Sequence, residues 1–157
     1  MKKNRIYLII IIILLFEIVT FMFSNSLEPV AKSKAKSLFV MECVAPILEL
    51  FVGKGNVTDH LVRKIAHFIE YLSLGVGLML FEVIKSRLHF QNIANCLSIG
   101  LAVAVADESL QMLTDRGPMV KDVLLDFSGV LTGVLVVLLI YTAVKLARRR
   151  EKLKSIS

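Results

Sequence analysis

The chain has 157 residues, 56% of them hydrophobic, and a formal net charge of +6, with a mean hydropathy of +0.74. Soluble domains are about 45–50% apolar, so this composition and its long apolar runs exclude a separate water-soluble domain and give an all-α integral membrane protein built as one domain over residues 1–157. The positive charge concentrates in the leader "MKKNR" and the tail "KLARRREKLK", where a headgroup-facing anchor explains it better than a nucleic-acid surface does.

About 20 apolar residues cross the roughly 30 Å hydrocarbon core of a bilayer. Four stretches qualify, at about residues 6–23, 65–84, 92–113 and 122–144. The first is interrupted only by Glu17 and Thr20. It is too long for a typical signal-peptide core, and no A-x-A-like site follows it, so an uncleaved signal anchor is expected. Residues 24–62 form the one long connection. There "SNSLEPVAKSKAKS" is turn-forming and Pro29 starts a helix. "LFVMECVAPILELFVG" is too short and too charged to span; Glu42 and Glu49 share one face, while Leu38, Val40, Met41, Val44, Leu48 and Phe51 cover much of the rest. That pattern predicts an interfacial helix on the outer leaflet, with a re-entrant segment bending at Pro46 as the alternative. "GKGN" then turns the chain, and Thr58 or Asp59 caps the second span. "HFQN" and "TDRGPMVK" link the later spans.

With the N-terminus inside, Lys and Arg number 11 on the cytoplasmic side and 8 outside, so the positive-inside rule places both termini in the cytoplasm. Cys43 then lies outside and Cys96 near the inner end of the third span, which forbids a disulfide. Neither cysteine has a metal-site spacing.

Charged side chains are expensive inside a membrane, yet Glu17, His67, Glu70, Asp107, Glu108 and Asp126 all fall within the spans. At 1.5 Å per residue, each of these lies within about 10 Å of the outer end of its span. Azimuth supports convergence. His67, Glu70, Tyr71 and Leu74 follow an i, i+3, i+4, i+7 stripe. Asp107 and Glu108 each pair in spacing with Gln111, and Asp122, Asp126, Gly129 and Gly133 share one face of the fourth span. Glycines there, with Gly75 and Gly77, admit a close helix approach below the acids. Arg63, Lys64, Arg116 and Lys121 rim the expected pocket, either as anion-binding groups or as partners that neutralise the acids. A histidine among carboxylates could bind a divalent metal, but "HFIE" is not the H-E-x-x-H pattern, so no metal or other cofactor is expected. Ser109 and Ser128 lie in no nucleophile-elbow context.

Taken together, "VRKIAHFIEYLSLG", "ADESLQMLTDRG" and "KDVLLDFSGVLTG" resemble the VanZ-like family, named for a protein associated with teicoplanin resistance in Gram-positive bacteria. The family pattern falls on Arg63, Lys64, His67, Phe68, Glu70, Tyr71 and Gly75, then Asp107, Glu108, Gln111 and Arg116, then Asp122, Asp126, Gly129 and Gly133. The resemblance runs from the first span to about Tyr141, with "FSNSLEP" matching less closely. Asn25 and Ser26 replace the usual Ser-Gln, Thr114-Asp115 replaces Pro-Gly, and Asp126 stands where many members carry Asn.

The resemblance implies a multi-pass protein of the bacterial cytoplasmic membrane with a role in tolerance of lipoglycopeptides such as teicoplanin. It leaves the mechanism open. In the first reading, an outward pocket of Glu17, Arg63, His67, Glu70, Tyr71, Asp107, Glu108, Gln111, Arg116, Asp122 and Asp126 binds an envelope component, a cell-wall precursor or the antibiotic, with membrane lipid around it. In the second, the same acids and His67 act as a membrane-embedded acid/base or metal-assisted enzyme on a lipid-linked substrate. In the third, the polar network only fixes helix packing.

Overall fold

The computed structural model describes residues 2–85, 88–114, 117 and 119–154. Among them the regular structure is helical: α1 (Lys2–Ser26), α2 (Val30–Val52), α3 (Asp59–Lys85), α4 (Phe90–Gln111) extended by a 3-10 turn (Met112–Thr114), and α5 (Val120–Lys154). Four stretches are long and apolar enough to cross a membrane: Asn4–Ser26, Asp59–Lys85, Phe90–Thr114 and Val120–Lys154. These match the four expected spans, with longer ends. α5 runs on through "ARRREKLK" to a length of 35 residues, about 52 Å at the α-helical rise. Hydropathy ends at the lipid boundary, but Ala, Arg, Lys, Glu and Leu are strong helix formers and carry the helix beyond it.

The chain reverses between successive spanning helices, so α1 and α4 run toward the end of the bundle that carries the polar residues, and α3 and α5 run away from it. Lys2 and Lys154 therefore both lie at the opposite end. Met22, Tyr71, Leu74, Met79, Cys96, Ala104, Val130, Val134 and Val137 form the core. The α3–α5 crossing is the most extensive helix contact, and glycine makes it possible. A Cβ on Gly133 would lie 2.3 Å from the Leu72 carbonyl oxygen, and one on Gly75 2.3 Å from the Val130 carbonyl oxygen.

α2 is not apolar enough to span, in line with the expected interfacial helix, but it is longer than the apolar segment that announced it. It begins directly after Pro29 and continues through Pro46 without ending there. Gly53, at φ 86°, stops it. Phe39, Ile47, Leu50 and Phe51 stay exposed, while Ser37 is buried and donates to the Lys34 carbonyl and to Asp59. The α1–α2 turn is held by Glu28, which accepts Lys36 Nζ at 2.5 Å and Lys32 Nζ at 3.3 Å. The Lys36 ammonium in particular keeps the Glu28 carboxyl below its ordinary pKa.

Thr58, rather than Asp59, caps α3: its Oγ1 accepts the Leu61 N–H at 3.2 Å. At the far end, Glu82 is buried and accepts Asn92 Nδ2 at 2.5 Å, with Lys85 Nζ at 3.7 Å. That contact makes Glu82 the pin between α3 and α4. Asn92→Ala should cost about 1–3 kcal/mol by leaving that buried carboxylate short of a donor, read as a lower thermal midpoint in detergent with the polar end unaffected.

Candidate functional site

The site forms where the C-terminal ends of α1 and α4 meet the N-terminal ends of α3 and α5. Thr114 Oγ1 donates to the Ser26 carbonyl at 3.4 Å, which ties the end of α4 to the end of α1. Each helix carries its polar groups within its last or first few turns, and antiparallel packing brings them to one level.

The expected residues separate into two groups. The outer group is paired. Arg63 reaches Asp59 at 2.9 Å and Lys64 reaches Asp122 at 3.1 Å. Glu108 accepts Gln111 Nε2 at 2.9 Å and the Met119 N–H at 3.3 Å, so it orders the connection into α5. Glu70 accepts Asn25 Nδ2 at 3.5 Å.

The inner group is different. Asp107 and Asp126 are 0% and 1% exposed. His67 Nδ1 stands 4.0 Å from Asp107 Oδ2 and 3.9 Å from Asp126 Oδ1, beyond hydrogen-bond reach. Ser26, Tyr71 and Gln111 are close enough to Asp107 to interact with it. None of those pairs reaches bonding geometry: both Asp107 oxygens, Asp126 Oδ2, Tyr71 OH and Ser26 Oγ are buried without a hydrogen-bond partner among the described residues. Buried polar groups are nearly always satisfied, so this concentration of unpaired groups at one spot is unusual.

Two cavities flank the cluster. One of about 200 Å³ is lined by His60, Arg63, Lys64, His67, Glu108, Asp122 and Asp126 among others. The second, about 280 Å³, lies under α2 and is walled by Phe21, Asn25, Val40, Val62 and Glu70; Arg63 and His67 line both. A larger groove of about 690 Å³ runs between α3 and the distal part of α5, with mainly apolar walls and Lys145, Arg148 and Arg149 at its edge. Among the described residues no acid or histidine lines it, and it lies at the other end of the bundle.

Glu17 does not join the cluster. Leu15, Ile18, Val19 and Met22 pack on the core and Ser26 is buried, which fixes the inward face of α1. At 100° per residue Glu17 falls on the opposite face, and it is exposed. The depth argument placed it at the right level; azimuth removes it. Arg116 lies outside the described residues. Asp59, Asn25 and Ser26 are the partners that the list of expected pocket residues lacked. Asp59 had a local signal in its i, i+4 spacing to Arg63, and Asn25 and Ser26 had one as the departure from the family's Ser-Gln.

Searches among curated proteins and among solved structures each found no match. The model of the VanZ/LLP1 family matches residues 6–141, which takes in α1 through most of α5 and every polar residue of the site. The chain belongs to the VanZ/LLP1 family.

Proposed function

We propose that this protein sits in the cytoplasmic membrane of a Gram-positive bacterium with both termini inside. Its polar cavity opens to the cell surface and binds an envelope component, either a cell-wall precursor headgroup or a lipoglycopeptide antibiotic. Tolerance of teicoplanin follows from that binding.

The observation that carries this reading is the concentration of buried donors and acceptors without partners among the described residues, on Asp107, Asp126, Tyr71 and Ser26, beside a 200 Å³ cavity. A network that only fixed helix packing would be expected to satisfy its own buried groups. Arg63 and Lys64 offer cationic groups at the cavity wall, and the inner carboxyls offer acceptors below. A ligand carrying both anionic and amide functions suits that sequence of charges.

A second reading, a membrane-embedded enzyme acting on a lipid-linked substrate, is favoured by one observation. His67, Asp107 and Asp126 converge to within 4.8 Å, close enough for an acid/base or metal-assisted constellation.

The test is a teicoplanin susceptibility shift in a sensitive Gram-positive host. Wild type is compared with Glu70→Gln, Asp107→Asn and Arg63→Ala at matched membrane levels. Wild type should protect, and the three variants should fall to the empty-vector level. Equal protection by all three would reduce the cluster to packing.

A further inference from the structure

We infer that His67, Asp107 and Asp126 together hold one divalent transition-metal ion of the zinc type, through His67 Nδ1 and one oxygen of each carboxylate. This rests on the reading above that the inner cluster is a ligand site, and names what binds there first.

The three residues come from α3, α4 and α5, so no helical repeat forces them together. One donor atom from each lies within 4.8 Å of the others. Two donors about 2.1 Å from a common ion stand about 3.4 Å apart at a tetrahedral angle and about 4.2 Å apart when opposite. The two histidine–carboxylate separations, 4.0 and 3.9 Å, are about 0.5 Å wider than the tetrahedral value, so the three side chains close inward on the ion. Sub-ångström side-chain movement closes the widest pair.

Charge argues the same way. The Asp107 and Asp126 side chains are 1% and 2% exposed, and carboxyls so buried keep their protons unless a counter-charge or a metal stands beside them. Arg63 is engaged by Asp59 and Lys64 by Asp122. A dication balances two carboxylates and leaves His67 a neutral ligand, the form in which imidazole binds metals.

Tyr71 supplies a second and independent observation. Its hydroxyl is completely buried, has no hydrogen-bond partner among the described residues, and lies close to Asp107. Ser26 Oγ stands in the same relation. With one Asp107 oxygen on the ion, these hydroxyls become the donors that orient the other, the usual outer layer of a metal site.

Imidazole with carboxylates suits zinc, manganese or iron, whereas magnesium and calcium prefer all-oxygen sets. Three protein ligands leave a coordination position open. His67 and Asp126 line the 200 Å³ cavity, so that position faces it, and an anionic oxygen from a phosphate or carboxylate is the chemical class that completes the shell.

The test uses the full chain purified in detergent, stripped with chelator and titrated with ZnCl2 or MgCl2 by calorimetry. Cobalt absorption serves as a reporter of ligation. One Zn2+ per chain and no Mg2+ response are expected. His67→Gln and Asp107→Asn should each weaken binding at least about 100-fold, while His60→Gln, on the cavity wall but outside the cluster, should keep it. No saturable zinc binding by wild type overturns the inference even if no variant folds, and so does binding that survives His67→Gln. Loss of teicoplanin protection in Asp107→Asn without zinc binding by wild type would leave the proposed function standing and sink the metal. Zinc binding in a chain that gives no protection would do the reverse.

Discussion

Gly133→Val should leave almost no assembled protein. A Cβ at this position would meet the Leu72 carbonyl oxygen at 2.3 Å, the Val76 nitrogen at 2.7 Å and the Gly75 carbonyl carbon at 3.1 Å. These are backbone atoms of α3, so no rotamer change relieves the clash, and α5 must move bodily. In a bilayer, helices associate through close packing and interhelical hydrogen bonds rather than through the hydrophobic effect, and the α3–α5 crossing is the largest contact the bundle has. Moving α5 outward also withdraws Asp126 from His67. The loss should exceed about 4 kcal/mol, in the range reserved for severe core defects. Size-exclusion chromatography in mild detergent should show aggregate in place of a monodisperse peak. Gly117→Ala is the control, because a Cβ there meets nothing within 4 Å and the elution profile should be unchanged. A monodisperse Gly133→Val protein with wild-type melting would overturn the crossing as described.

Asp126→Asn should behave in opposite ways with and without metal. In chelator-treated protein the wild-type side chain is a buried carboxyl with Oδ2 unpartnered beside a second buried carboxyl. Removing one of two like carboxyls buried side by side relieves desolvation and mutual repulsion and should stabilise by about 1–3 kcal/mol, which is about 2–12 °C in midpoint for a chain of this size class. With Zn2+ in excess, wild type gains the binding free energy and the variant does not, so the order reverses. The readout is built in: Cys96 is buried and Cys43 exposed. A thiol-reactive dye therefore labels Cys43 at once and Cys96 only on unfolding. The same variant should lose teicoplanin protection, separating stability from function as expected where a site is strained for use. If Asp126→Asn melts lower than wild type in chelator, the carboxylate is a structural partner and the inner cluster is not an uncompensated site.

The α2 helix and the far end of the bundle show what local reading misses. Pro46 suggested a bend because proline removes a backbone donor, yet α2 continues through it. Nothing in the residues around Glu82 announces Asn92 as a partner, and only their meeting shows Glu82 as a buried hydrogen-bond acceptor. Ser26 stood out only as part of a departure from the family's Ser-Gln; it matters because the end of α1 arrives beside Asp107.

Sequence by itself determined the membrane class, the four spans and the level at which polar residues gather. Hydropathy and residue count fix those through the thickness of the bilayer and the helical rise alone. It also supplied the periodicities that put His67, Glu70 and Tyr71 on one face, and the spaced motifs that led to the family. Tertiary structure decided which of the residues at that level meet. Glu17 and Asp107 sit at similar depth, but the packing face of α1 turns Glu17 outward, while the α3–α5 crossing brings Asp126 to His67. Pairing was decided there too: Arg63 and Lys64 are taken up by Asp59 and Asp122, leaving Asp107 and Asp126 to the interior. The physical reason is that a helix's own repeat sets relative azimuth within one helix. Its absolute rotation about its axis is set only by the glycines and core side chains of the helices it packs against.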